Sequence, residues 1–182
     1  MTSDILVSVV VVSFNNERQI RGCIESALKG EDGSIEVIVV DNGSTDRTRA
    51  ELGRYASRPN VKVVHNPRNL GFAEGVNIGV ANSRGSLIFL LNPDAVIESE
   101  SIGRLLRQFA GGQTLLIVQP KILKADRRGE LDSTGDFIDG YGFALRRGGD
   151  PPEQDHAQYD ARTEIFSARG AALMTTRKLF DL

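Results

Sequence analysis

VSVVVVSFNNE, from Val7 to Glu17, is the stretch whose reading decides the fold. Val7 to Val12 is a β-branched run interrupted only by Ser8, and it breaks at Ser13-Phe14-Asn15-Asn16. Hydrophobicity that is continuous rather than alternating predicts a strand buried on both faces, the situation of a parallel sheet. From Glu17 the period changes. Ile20, Cys23, Ile24, Ala27 and Leu28 recur at helical spacing, and Gly30 supplies a stop signal.

The same cycle repeats downstream. Glu36 to Val40 reads as a second strand, followed by the polar turn Asp41-Asn42-Gly43-Ser44-Thr45-Asp46 and a helix through Leu52. Val61 to Val64 is a third strand, followed by a loop at Asn66 to Asn69 and a helix over Ala73 to Ala81. Leu87 to Leu91 is a fourth strand, ended by Asn92-Pro93-Asp94, where proline cannot continue a ladder. A helix begins at Ser99 or Ser101, with Ile102, Leu105, Leu106 and Phe109 on one face. Strand and helix alternating four times imply parallel strands joined by right-handed crossovers, an α/β fold. Beyond it the pattern loosens. Leu115 to Val118 reads as a fifth strand, Ala125 to Tyr159 as long loops with one hairpin among them, and Gly170 to Met174 as a small-residue strand or turn.

Bulk properties exclude several classes. With 182 residues, 40% hydrophobic and 25% charged, the chain suits one soluble globular domain with a sizeable core. A net charge of -2 gives no basic field for nucleic acid, so none is expected as a partner. The pairs Arg127-Arg128 and Arg146-Arg147 read as solvated loops. Cys23 is the single cysteine and falls on the buried face of the first helix, a core position rather than a nucleophile. The N-terminus lacks a basic n-region and a cleavage site, and its apolar run is too short to span a bilayer. The expected compartment is the cytoplasm, with peripheral membrane contact left open.

In an open parallel sheet, ligands bind at the carboxyl ends of the strands. Asn15, Asp41, Asn69 and Asp94 each follow a different strand, so four strands deliver polar side chains to one rim. Neither G-x-G-x-x-G after the first strand nor G-x-x-x-x-G-K-[ST] occurs, so no glycine loop cradles a diphosphate. That charge would need a carboxylate-held Mg²⁺ or Mn²⁺, with Asp94 as the obvious ligand.

VSVVVVSFNNE, IEVIVVDNGSTDRT, NPRNLGFAEGVNIGVA and LIFLLNPDA together resemble the family-2 glycosyltransferases of GT-A fold. The NLGF and LNPD versions are most similar to the rhamnosyltransferase-like branch, which builds bacterial surface polysaccharides. The resemblance is close from Val7 to about Phe109 and looser to the end, where FSARGAALMTTRKLF resembles the acceptor-side segment. It implies one domain over 1–182, with 1–110 binding the nucleotide-sugar and 111–182 forming part of the acceptor side. It further implies an inverting transfer from a UDP- or dTDP-sugar donor to a hydroxyl of a glycan or lipid-linked acceptor. On this pattern Ser13, Phe14 and Asn15 line the base and ribose pocket with Glu17 nearby, and Asp41 accepts the N3–H of a uracil or thymine. Asn69 and Gly71 shape the wall, Arg68 approaches base or phosphates, and Asp94, preceded by Asn92, holds the metal. Asp46 reads as a helix cap rather than a ligand.

Two departures matter. The metal motif of the family is Asp-x-Asp, but here it is Asn92-Pro93-Asp94 and has one carboxylate. The acidic pair that supplies the family's general base is expected beyond Leu182, and a chain boundary at an incipient helix reads as a truncation. A positioned base contributes about 10²–10⁴ in rate, so the residues given would bind donor and transfer sugar poorly. Asp132, Asp136 and Asp139 read as solvated loop carboxylates, and His65 and His156 receive no role. The competing readings are a non-catalytic nucleotide-sugar-binding module and a nucleotidyltransferase. The latter is disfavoured because Ser13 to Asn16 is not a glycine-rich cationic loop.

Overall fold

The computed structural model describes residues 6–29, 34–109, 117–127 and 129–180. The first half follows the alternation of the sequence: β1 (Val7–Ser13), α1 (Ile20–Leu28), β2 (Ile35–Asp41), α2 (Thr48–Gly53), β3 (Val61–His65), α3 (Phe72–Ala81), β4 (Leu87–Leu91) and α4 (Ser101–Phe109). The second half is built of shorter pieces: β5 (Ile117–Val118), β6 (Ile122–Leu123), β7 (Leu131–Ser133), β8 (Asp136–Ile138), β9 (Ala144–Arg146), β10 (Ala172–Thr176) and a 3₁₀ turn over Arg177–Phe180. Gly30, Leu115 and Arg128, which the sequence reading used, lie outside the described residues.

Among the described residues the main sheet runs β3-β2-β1-β4-β10-β5. The chain steps outward from β1 through β2 to β3, and α3 then carries it back to the other side of β1. Strand order therefore reverses between β1 and β4, the switch point at which open sheets bind ligands. β1 to β4 are parallel, and β10 inserts antiparallel between β4 and β5. The segment left open as strand or turn is thus a sheet strand, and its orientation follows from the long excursion that returns the chain to the sheet.

β1 explains its own composition. Val7, Val9 and Val11 enter the larger core with Ile20, Ile24, Phe89 and Leu105, while Val10 enters a second core with Ile38, Ile88, Val76 and Val80. A strand covered on both faces has no polar register to show. α3 approaches β1 through glycine: a Cβ on Gly75 would meet Val12 Cγ1 at 2.6 Å, and one on Gly79 would overlap Val10 Cγ1. Gly79→Ala should therefore cost about 1–3 kcal/mol despite alanine's better helix propensity. Urea unfolding would show this, and a neutral or stabilising substitution would mean that α3 can lift off the sheet freely.

The region read as loops, Ala125 to Tyr159, is more ordered than its composition implied. β6 pairs with β7 and β8 with β9, and Leu131 and Ser133 are fully buried. No helix among the described residues is long and apolar enough to cross a membrane.

Candidate functional site

The C-terminal ends of β1, β2, β3 and β4 form the rim, and their loops are tied to one another. Behind β1, Ser13 is buried and donates through Oγ to Asn16 Oδ1, which also accepts the Phe14 N–H at 2.9 Å. This turn leaves the Phe14 ring exposed. Asn15 takes a left-handed backbone (φ 57°), donates its N–H to Ser44 Oγ and accepts the Thr45 N–H at 2.8 Å. Glu17 Oε2 accepts the Arg47 N–H, and the Glu17 N–H donates to Asp46 Oδ2. Asp46 also accepts the Thr48 N–H at the start of α2 through Oδ1. Polar groups of Asn15 and Glu17 therefore brace the loop after β2.

Asp41 closes β2 and is 0% exposed. Its Oδ1 accepts the Ser44 N–H at 3.0 Å, while Oδ2 accepts from Arg49 Nε at 3.2 Å and His65 Nδ1 at 2.9 Å. His65 lies directly across in the β2–β3 register, which is how a histidine without a local sequence partner finds this carboxylate. Burial pushes the Asp41 carboxyl up, but the hydrogen bonds from Ser44, His65 and Arg49 outweigh it and hold the group below the ordinary carboxylate range.

Asn42 organises the rim wall. Its Oδ1 accepts from Asn66 Nδ2 and the Leu70 N–H, and its Nδ2 donates to Asn69 Oδ1 and the Gly71 carbonyl. Asn69 Oδ1 also accepts the Gly71 N–H at 2.9 Å, so the Asn69–Gly71 corner is fixed from two sides. Gly43 (φ +80°) packs on backbone here, since a Cβ would stand 2.6 Å from the Arg68 carbonyl carbon. Arg68 itself is exposed and has no hydrogen bond or ion pair among the described residues. Neither Asn42 nor Asn66 was singled out from sequence. The available signal was a pair of asparagines closing adjacent strands.

The loop after β4 is anchored beneath and beside. Asn92 donates its N–H to the Ala171 carbonyl, and its own carbonyl accepts the Ala95 N–H and the Cys23 Sγ–H. Burial, with the charge of Asp94 adding to it, pushes the Cys23 thiol up to about 12, so it stays a neutral core group. Asp94 is exposed and makes no hydrogen bond or ion pair among the described residues. It differs in this from Asp41, whose oxygens are taken internally. No three-residue group of His, Cys, Asp or Glu among the described residues forms a metal cage. A cation would have one free carboxylate here and would need further oxygens from a bound ligand, which suits Mg²⁺ or Mn²⁺ on a diphosphate.

On the far side, the Phe72 ring packs near Gly170, 3.9 Å from where a Cβ there would stand. Asp136, read as a solvated carboxylate, instead pairs with Arg169 at 3.2 Å and accepts from Ser167 Oγ. Asp139 is likewise engaged, accepting the Tyr141 and Phe143 N–H groups at 2.9 Å each. Arg147, read as solvated, lies over the Tyr159 ring at 4.4 Å and donates to Thr134 Oγ1. Asp139 is held by the amides of its own turn, whereas Asp136 and Arg147 find partners far along the chain that no local pattern reveals.

Residues 8–172 match the family described as "Glycosyl transferase family 2". The chain is 33% identical over 131 residues to the chondroitin synthase of Escherichia coli, covering 71% of this chain and 19% of that protein. It therefore spans about a fifth of that relative's length. The S. aureus TarS fragment solved with UDP-GlcNAc superposes with a TM-score of 0.59 at 25% identity, over 68% of this chain and 36% of that one. The mannosyltransferase PcManGT of Pyrobaculum calidifontis, solved with GDP-Man and Mn²⁺, shares the fold with a TM-score of 0.58 at 22% identity over 65% of this chain and 35% of its own. The mostly parallel sheet with its flanking helices is thus GT-A-like, and the chain belongs to glycosyl transferase family 2.

Proposed function

We propose that this chain binds a UDP- or dTDP-sugar at the β1/β4 switch point and serves an inverting transfer to a hydroxyl of a glycan or lipid-linked acceptor. In this reading 1–182 act as one domain, 1–110 on the donor and 111–182 on the acceptor side. The carrying observation is Asp94: a carboxylate on the rim with neither oxygen in a hydrogen bond or ion pair among the described residues, on a loop fixed by Cys23 and Ala171. Asp94 would hold Mg²⁺ or Mn²⁺ together with the donor diphosphate, and such an ion stabilises charge on the leaving nucleotide. Exposed Phe14 offers a face for the base, Arg68 a guanidinium without a partner among the described residues for the phosphates, and Asn69–Gly71 a fixed wall. Asp41 would accept the N3–H of uracil or thymine in exchange for one of its half-exposed partners, His65 or Arg49. Bacterial surface polysaccharide synthesis, rhamnosyl or other hexosyl transfer and a cytoplasmic site at the inner face of the membrane complete the proposal. They are supported by the NLGF and LNPD motifs and by a relative that is a chondroitin synthase.

Calorimetric titration with UDP and dTDP, with and without Mn²⁺, tests this. Binding should tighten at least about tenfold with metal, and Asp94→Ala should abolish that gain while leaving the metal-free affinity intact. Absence of binding to either nucleotide under every condition would overturn the donor-site reading.

A further inference from the structure

The two oxygens of Asp41 are held in different ways. Oδ1 accepts the Ser44 N–H within its own turn, and that turn is tied to the loop after β1, where Ser44 Oγ accepts the Asn15 N–H at 3.0 Å. Oδ2 accepts from two side chains, Arg49 Nε and His65 Nδ1, which are 55% and 43% exposed. Asp41 itself is buried, so Oδ2 opens to a ligand only when one of these partners moves. An ionised carboxylate can only accept, so His65 Nδ1 carries a proton in this contact. Arginine pairs most firmly with a carboxylate through both arms of its fork, yet Arg49 engages through Nε alone. Its Nη groups take no hydrogen bond among the described residues, so donors are left over beside Oδ2.

We infer that Arg49 and His65 determine which base the donor carries, by favouring uracil or thymine over guanine. This rests on the proposed donor site, in which Asp41 meets the base. A carboxylate with both oxygens open would suit guanine best, because the adjacent N1–H and N2–H of that base can pair with the two oxygens together. Here Oδ1 keeps its backbone donor, and Oδ2 is the oxygen that can exchange a partner. Uracil and thymine present one N–H between two carbonyl oxygens. Set on Oδ2, that edge offers Arg49 and His65 carbonyls to donate to, so whichever of them yields its place has an acceptor beside it. Guanine keeps a carbonyl on one side of N1–H but turns its amino group to the other, where it would meet a further N–H donor. A desolvated donor facing a donor is left unpaired, and sites built on hydrogen bonds discriminate strongly on that ground. The fold, not neighbouring sequence, brings the two side chains together: His65 through the β2–β3 register and Arg49 from the first turn of α2.

Calorimetric titration of this chain with UDP and GDP at one fixed Mn²⁺ concentration tests the inference, because the two ligands share ribose and diphosphate and differ in the base. The wild type should bind UDP about tenfold or more tighter than GDP. Arg49→Ala/His65→Ala should lower that ratio about tenfold, in part by tightening GDP. A tighter GDP complex is a gain that damage to the fold does not produce. Removing both side chains leaves Asp41 buried without a cation, so Arg49→Lys serves as the second variant. It keeps the charge but lacks the fork, and it should lower the ratio in the same direction by a smaller factor. An unchanged ratio in both variants would overturn the inference while leaving the donor site in place. A wild type that prefers GDP would overturn it too. Binding of neither nucleotide would overturn the donor site itself, and this inference with it.

Discussion

Asn42→Ala will unfasten the donor rim, lowering stability by about 4 kcal/mol and weakening nucleotide binding more than substitution of any exposed wall residue. The side chain makes four hydrogen bonds in a buried position, to Asn66, Leu70, Asn69 and Gly71. Each contributes about 0.5–1.5 kcal/mol net, and removal also leaves the Asn66 amide and the Leu70 N–H unsatisfied near the core. Asn69, exposed at the same corner, shares only one of those bonds and should cost about 1 kcal/mol when truncated. The functional loss has the same origin. The turn from Asn66 to Gly71 is held by side-chain bonds to the end of β2 rather than by a ladder of its own. Urea unfolding and UDP titration of the two variants would separate the effects, and an Asn42→Ala protein within about 1 kcal/mol of wild type would show that the wall stands without it.

That asymmetry shows what the sequence could and could not disclose. The positions of the rim residues were legible, because Ser13, Asp41 and Asn92 close runs of apolar residues that can only be buried strands. Their duties were not. A polar group aimed at a ligand and one aimed at a neighbouring loop have the same composition. Asn15 and Glu17, read as pocket residues, spend hydrogen-bonding atoms on Thr45 and Arg47, about thirty positions away. His65 offered no pattern at all, since its partnership with Asp41 exists only once β2 and β3 are in register.

The limits on reading the fold are of the same kind. β1 to β4 could be read because each is long enough to show its burial and is followed by a polar turn, and the helices after β1 and β4 are long enough to show their period. β8 and β9 are three residues each, too short for either, and their pairing depends on the Asp139 turn. β10 reads as small and apolar in any topology. Its antiparallel place beside β4 is fixed by the path of the chain between Val118 and Ala172 and by Arg177. That side chain donates to the Val80 and Gly85 carbonyls and to Ser83 Oγ, pinning the end of β10 to the turn between α3 and β4.

Asp41→Ala should cost about 3 kcal/mol at neutral pH, and the cost should shrink on acidification. A buried carboxylate that organises partners leaves them unpaired when it is removed, at about 3–5 kcal/mol for a fully buried ion pair. Here Arg49 and His65 keep contact with water, which sets the expectation at the lower end. The pH dependence follows from the carboxyl lying below its ordinary value in the fold. Over the acidic range the unfolded chain then binds more protons at this residue than the folded one, so stability rises with pH there. The contribution of Asp41 is complete above the ordinary carboxylate range and is lost as pH falls through the depressed folded value. In the variant that share of the slope is missing, while Glu36, held low in the same sense by Ser8 and Arg84 against its burial, still contributes. Urea unfolding of both proteins from pH 7 downward should therefore give stability curves that converge toward acid. Parallel curves would mean that Asp41 keeps its proton equilibrium unchanged on folding, and that its hydrogen bonds to Ser44, Arg49 and His65 do not favour the ionised form.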